Sequence, residues 1–325
     1  MPKKDVSRRA FLRQAAAASG AAVLAGCASQ SPEAEQGTPK PLEVRYGLNL
    51  LVYTAAFTKD ELGLISKVAG FGYDGVEIPF NDLGLLDAPA TRKALEQAGV
   101  GVTACCVMMP GTNPCSPDAA ERKRAVARLR QMIDITGEMG GEVVAGPLYS
   151  PCGYLTGKAV TADELKWCAE GLRAAAEHAE KAKILLAIEP LNRFETYVVN
   201  TDADAVRLCK EVGSDYLKVQ VDTFHANIEE KDTAKAILAT GKPYLGHFHA
   251  SESDRGVPGT GQVRWAEVFR ALKAVGYGGW VTIESFATGI LDLCAAACIW
   301  RPIYESADDL AKDGLKFLKE TARSA

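Results

Sequence analysis

Histidine is scarce in this chain, with four among 325 residues, too few for a histidine-rich multinuclear metal centre. Basic charge is short as well. The whole sequence carries 37 Lys+Arg against 41 Asp+Glu; residues 1–26 hold five basic side chains and one acidic one, so the remainder has 32 against 40, a formal net of −8. Such a chain lacks the basic face that a phosphate backbone requires, and nucleic acid is not an expected partner. The nine cysteines include no Cys-x-x-Cys pair, and their spacing does not support a disulfide framework. Cys105 and Cys106 stand side by side in an apolar run, where alternation sends them to opposite faces. Mostly buried thiols are expected, with Cys115 and Cys152 as loop exceptions. Ala15–Ala25 is apolar but too short to span a bilayer as a stable anchor. Val44–Phe57 contains no glycine-rich phosphate turn, which argues against an open nucleotide-binding sheet.

What is present begins with an export pattern. Ser7-Arg8-Arg9-Ala10-Phe11-Leu12 has the paired arginines of a twin-arginine signal, and Leu24-Ala25-Gly26-Cys27 resembles a lipobox. Ser29–Pro41 shows no apolar periodicity and reads as a tether. The expected organisation is a signal peptide over 1–26, a flexible tether over 27–41 and one folded domain over 42–325. A lipid on Cys27 would then be the only membrane contact of a protein exported to the periplasm or cell surface.

From Val44 onward, short β-branched runs alternate with longer amphipathic segments. Strands are expected near Val44–Leu50, Gly75–Pro79, Val100–Met108, Glu142–Gly146, Ile184–Glu189, Leu217–Asp222, Leu245–His249 and Trp280–Glu284. Between them, Val126, Leu129, Met132, Ile133 and Thr136 share one helical face, as do Trp265, Val268, Phe269, Leu272 and Val275. Ser116-Pro117-Asp118 and Thr161-Ala162-Asp163 supply helix starts, and Gly99, Gly213 and Gly276 supply stops. Eight such alternations give an α/β fold, a single-domain (β/α)8 TIM barrel.

The last four strands end alike. Ile184–Ile188 closes on Glu189, Leu217–Val221 on Asp222, Leu245–Phe248 on His249 and Trp280–Ile283 on Glu284, at separations of 33, 27 and 35 residues. In a barrel these ends share one mouth. A carboxylate beside two others is costly unless a cation lies among them. Three oxygen donors and one imidazole suit Mn²⁺, Co²⁺ or Mg²⁺, with Zn²⁺ admissible. Each residue has a structural alternative: Glu189 or Asp222 as helix caps, His249 as a core imidazole. Just beyond lie Asn192-Arg193-Phe194-Glu195, Thr223-Phe224-His225 and Arg255, polar groups dense enough to grip a polyhydroxylated ligand. An ion pair is the alternative for Arg193, and Phe286 is either an apolar wall or core.

Ile188-Glu189-Pro190-Leu191-Asn192-Arg193-Phe194-Glu195, Asp222-Thr223-Phe224-His225-Ala226-Asn227, Gly246-His247-Phe248-His249, Arg255-Gly256-Val257-Pro258-Gly259 and Ile283-Glu284-Ser285-Phe286 together resemble the D-tagatose/D-psicose (allulose) 3-epimerases, within the xylose-isomerase-like barrels. The resemblance is dense from about Gly140 to Trp300. It implies that Glu189, Asp222, His249 and Glu284 hold a divalent metal, Mn²⁺ before Mg²⁺ or Co²⁺. It implies that Glu195, His225 and Arg255 hold the O1–O2 end of a free ketohexose of the D-tagatose or D-fructose/D-psicose type. It further implies inversion at C3 through a metal-bound cis-enediolate, with Glu189 and Glu284 as acid and base, and a homodimer or homotetramer. The Cys115 and Cys152 loops lie where family members shape the far end of the pocket. Two other readings stand beside it: an aldose–ketose isomerase of the same barrel group, and a non-catalytic sugar-binding lipoprotein.

Overall fold

Eight of the apolar runs form parallel strands in a computed structural model that describes residues 42–325; the expected signal peptide, Cys27 and tether lie outside the described residues. The strands are β1 Arg45–Asn49, β2 Gly75–Pro79, β3 Gly101–Cys105, β4 Val143–Gly146, β5 Leu185–Ile188, β6 Leu217–Asp222, β7 Leu245–Ala250 and β8 Trp280–Ile283. Each pairs with its sequence neighbours, and β1 closes onto β8, giving the closed (β/α)8 barrel. Helices cover the outer face and side chains fill the inner one, so the strands are buried on both sides and read as apolar runs rather than as an alternation.

The helix signals act locally as expected. Thr161 forms a capping box with Glu164 at the start of Ala162–Ala182, and Asp118 caps Ala119–Met139 through Ala120 N. Gly99 and Gly213 end their helices in the left-handed conformation. Gly276 follows one residue beyond Val275, the cap of Trp265–Ala274. On the two expected faces Leu129, Met132, Ile133 and Thr136, then Trp265, Val268, Phe269 and Leu272, are buried; Val126 and Val275 sit at the edges.

Most strand ends fall within one residue of expectation, and the largest departure is in β3. β3 stops at Cys105 rather than reaching Met108. Cys106 N still bonds Ala145 O at 2.9 Å, and the chain then turns over the mouth, with Val107 N bonded to the Asn81 side chain at 3.2 Å. Cys105 and Cys106 do face opposite ways: Cys105 lines the mouth, while Cys106 packs in the core outside the sheet. Cys115 is a correction. It is buried, its thiol donating to Tyr149 O at 3.3 Å, because the Asn113 side chain accepts from Cys115 N and folds the loop inward. The exposed thiols among the eight described cysteines are Cys152 and Cys298, and all eight are free.

The barrel is sealed at the strand N-termini by Trp280. A β-carbon on Gly101 would stand 2.9 Å from its ring, and one on Gly75 would overlap it. Trp280 Nε1 donates to Glu142 at 2.6 Å, and Arg45 stacks on the indole at 4.3 Å. With that end closed, the opening lies at the strand C-termini.

Candidate metal centre and active site

Asp222 ends β6, His249 lies in β7, and Glu189 and Glu284 each follow the last residue of β5 and β8. Asp222 is the register partner of His249, so neighbouring strands deliver both at one height. All four side chains are buried. His249 Nδ1 stands 3.8 Å from Glu189 Oε1, 3.6 Å from Asp222 Oδ2 and 3.5 Å from Glu284 Oε2. One ligand atom from each of the four lies within 4.8 Å of every other. The structure thus brings together the four residues that the strand endings single out.

This set suits a divalent ion. His249 Nδ1 and Glu189 Oε1 are buried without a hydrogen-bond partner, which is costly unless something else meets them. Donors at about 2.1 Å from one ion stand roughly 3.0–3.5 Å apart, and the three distances from His249 Nδ1 lie at or within a few tenths of an ångström of that range. The protein alone supplies too little positive charge. Burial, then Glu284 and Asp222, push the Glu189 carboxyl well above the usual carboxylate range. Burial would lower His249, but Glu77 and Glu284 raise it, so in the ion's absence a proton takes the cation's place. Burial opposes ionisation of Asp222 too, yet Arg255 holds it well below the ordinary range.

The groups expected at the sugar end also converge. Arg255 Nη1 donates to Glu284 Oε2 at 2.6 Å, Asp222 Oδ2 at 3.1 Å and Ser251 Oγ at 2.9 Å. Its guanidinium lies between Phe224, at 4.0 Å, and Phe286, at 5.1 Å. Phe286 is therefore a wall of the cavity. His225 Nδ1 accepts from Asn192 N at 3.0 Å, and its Nε2 stands 3.1 Å from Arg255 Nη2 and 3.9 Å from Glu189 Oε1. Burial, reinforced by Arg255 against the pull of Asp222, holds His225 below the ordinary imidazole range and so neutral at pH 7. Glu195 is oriented by Asn192 Nδ2 at 2.7 Å and receives the Cys152 thiol at 3.5 Å. These residues line a cavity of about 220 Å³ whose far side is apolar, formed by Leu51, Val107, Leu293 and Ala296.

Two loop residues behave differently. Arg193 turns outward into a bidentate pair with Glu229, at 2.9 Å on both arms, and Phe194 is exposed. Neither lines the cavity. Cys115 is likewise absent from the cavity wall, whereas Cys152 is part of it. The strand-end pattern also missed Glu77, which lies inside the barrel and accepts His249 Nε2 at 2.6 Å and His247 Nε2 at 2.7 Å. Burial alone would raise its carboxyl; His249 and His247 keep it well below the usual range. Its signal was a lone acid inside the short apolar run Gly75-Val76-Glu77-Ile78-Pro79, where the strand has no face turned to water.

Comparison with known proteins agrees with this geometry. The family model of the xylose isomerase-like TIM barrel matches residues 65–321. The probable ketose 3-epimerase of Synechocystis sp. is 33% identical over 279 residues, spanning 86% of this chain and 97% of its own length. The D-psicose 3-epimerase of Agrobacterium fabrum is 35% identical over 266 residues, 80% of this chain and 89% of its own. The crystal structure of D-allulose 3-epimerase from Methylomonas sp. in complex with D-allulose aligns with a TM-score of 0.82 at 31% identity, covering 86% of this chain and 98% of that one.

Proposed function

Because the chain belongs to the xylose isomerase-like TIM barrel family, and its relatives are carbohydrate epimerases, we propose that it is a ketose 3-epimerase acting on a free ketohexose of the D-tagatose or D-fructose/D-psicose type. The observation that carries this reading is the pair of buried glutamates. Glu189 and Glu284 leave β5 and β8 on either side of the β6 and β7 residues, with oxygens inside the same 4.8 Å cluster, and both face one cavity.

Inverting C3 requires a proton to leave one face of the carbon and another to arrive on the opposite face, which a single carboxylate cannot do without turning the sugar over. Glu189 and Glu284 divide that work, one as base and the other as acid, and exchange roles in the reverse direction. Glu189, Asp222, His249 and Glu284 would hold a divalent ion, Mn²⁺ before Mg²⁺ or Co²⁺, which would supply the Lewis acidity that a C–H beside a ketone needs to be removable near neutral pH. Arg255 contributes a fixed positive charge in a dry site as the substrate becomes an enediolate. His225 Nε2 bonds a sugar hydroxyl, and the Glu195 carboxylate accepts from another; both residues lie on the cavity wall. The Phe224–Arg255–Phe286 stack keeps the guanidinium in place while substrate enters.

The test is incubation of the Mn²⁺-loaded protein with D-fructose and D-tagatose in D₂O. Deuterium at C3 with the C3 epimer as product supports the reading; an aldose as the sole product sinks it in favour of isomerisation between C1 and C2. Glu284→Gln should lower kcat by about 10²–10⁴-fold while ketose binding, followed by calorimetry, persists. Tight ketose binding by the wild type with no C3 exchange would instead support a sugar-binding lipoprotein.

A further inference from the structure

Beneath the four-residue cluster, the barrel interior is polar where an ordinary barrel is filled by branched apolar side chains. Glu77, Thr103, Gln220, His247 and Thr282 are all buried there. Four donors converge on the Glu77 carboxylate: His249 Nε2 at 2.6 Å and Asn49 Nδ2 at 3.0 Å on Oε1, His247 Nε2 at 2.7 Å and Thr103 Oγ1 at 2.9 Å on Oε2. These contacts are hydrogen bonds and not a second ion site. Two ligands of one ion, each about 2.1 Å from it, stand roughly 3 Å apart, whereas the two imidazole nitrogens approach the carboxylate more closely than that.

The structure assigns Glu77 the part of positioning residue for the active site: its carboxylate holds His249 with the proton on Nε2, so that the Nδ1 lone pair faces Glu189, Asp222 and Glu284. A carboxylate bearing two imidazole N–H groups, a hydroxyl and an amide is a pure acceptor, so the tautomer of His249 is set by its partner. The same unit reaches the proton-transfer residue. Asn49 Nδ2, bonded to Glu77, also stands 3.3 Å from Glu284 Oε1, while Asn49 Oδ1 accepts from Leu51 N at 3.0 Å. Glu77 thereby fixes an imidazole on β7 and, through Asn49, one oxygen of a glutamate beyond β8. Glu77 is not on the cavity wall, so it acts through these neighbours and not on the sugar.

This inference rests on the metal-dependent reading above, and its test separates the two. Glu77→Gln preserves shape but leaves one acceptor oxygen where two imidazole N–H groups had one each and sets an N–H₂ group against the other, so the tautomer of His249 is no longer uniquely selected. Mn²⁺ binding is measured by titration with electron paramagnetic resonance detection of the free ion. The ring ¹⁵N resonances of the four histidines are recorded with one equivalent of Zn²⁺, which is diamagnetic. In the wild type, His249 should carry its proton on Nε2 with Nδ1 bound to the ion. In Glu77→Gln the Mn²⁺ Kd should rise roughly 10–100-fold, with mixed tautomers at His249 and thermal unfolding of the metal-free protein preserved. An unchanged Kd in Glu77→Gln beside normal wild-type binding overturns this inference alone. A wild-type spectrum with the ion on Nε2 overturns it without any variant, so the result stands even where Glu77→Gln fails to fold. Wild-type protein that binds neither ion overturns both this inference and the reading on which it rests.

Discussion

Asp222 serves two structures at once. Oδ1 accepts from Phe224 N at 2.7 Å and His225 N at 3.0 Å, capping the helix Thr223–Glu229, while Oδ2 faces His249. Cap and candidate ligand, which look like alternatives in the sequence, are the two oxygens of one carboxylate. Asp222→Asn should therefore separate them. Asparagine caps about as well as aspartate, so the cap should survive while the lost ion pair with Arg255 lowers metal-free stability and Mn²⁺ affinity falls at least about tenfold. Asp222→Ala should lose the cap as well, at about 1 kcal/mol more. Asp202 titrates for a different reason. It is buried, and burial, with Glu230 and Asp222 adding, raises its carboxyl to about 8. In the unfolded chain the value is about 3.9. With the folded value raised, the stability associated with the protonated form is full below pH 4 and drains away as pH climbs to 8. Asp202→Asn should thus match wild type near pH 4 and exceed it above pH 8 by about 1–3 kcal/mol, as read from denaturant midpoints across that range. Singly, none of these residues announces its part, since an acid at a strand end caps or ligates with equal ease.

Arg255 depends on the segment that carries it. Its backbone is left-handed, with φ 65°, an uncommon setting for a side chain of that size. The Glu252 carboxylate anchors the surrounding loop, accepting from Ser253 N at 2.8 Å, Gly259 N at 2.8 Å, Val263 N at 3.1 Å and Trp265 Nε1 at 2.9 Å. Glu252 O also accepts from Arg255 N at 2.9 Å. Glu252→Gln leaves one acceptor oxygen where there were two and places an N–H₂ group among donors. The variant should lose about 1–3 kcal/mol and show a raised KM as the loop loosens, checked by thermal unfolding and steady-state kinetics. Gly146 is a second element-level constraint: its φ is 125°, and a β-carbon would collide with the Cys106 carbonyl. Strand and helix boundaries were legible to within a few residues because the apolar periods, Thr161 and the terminal glycines act over short distances. The exit of β3 and the burial of Cys115 were not legible, since both depend on a loop folding against a helix and strand distant in sequence.

At the scale of the molecule, the barrel gathers residues more than two hundred positions apart, such as Asn49 and Glu284, into one polar interior. The export reading of residues 1–27 remains a proposal carried by Arg8-Arg9 and the Leu24-Ala25-Gly26-Cys27 pattern. Cys27→Ser should shift the protein from the membrane to the soluble fraction on cell fractionation, without changing the kcat of the purified enzyme; an unchanged distribution would count against the lipid anchor. The order of the eight strands, the mouth at which Glu189, Asp222, His249 and Glu284 assemble, and the class of ligand that such donors suit were determined by the amino-acid sequence itself, because hydrophobic period and strand-end chemistry are written locally. The tertiary structure alone decided that Glu77 holds His249, that Arg193 turns away to Glu229 while Arg255 turns inward, and that Cys115 is core. Those outcomes depend on which side chains meet across the closed barrel, and that closure brings together groups that no local pattern connects.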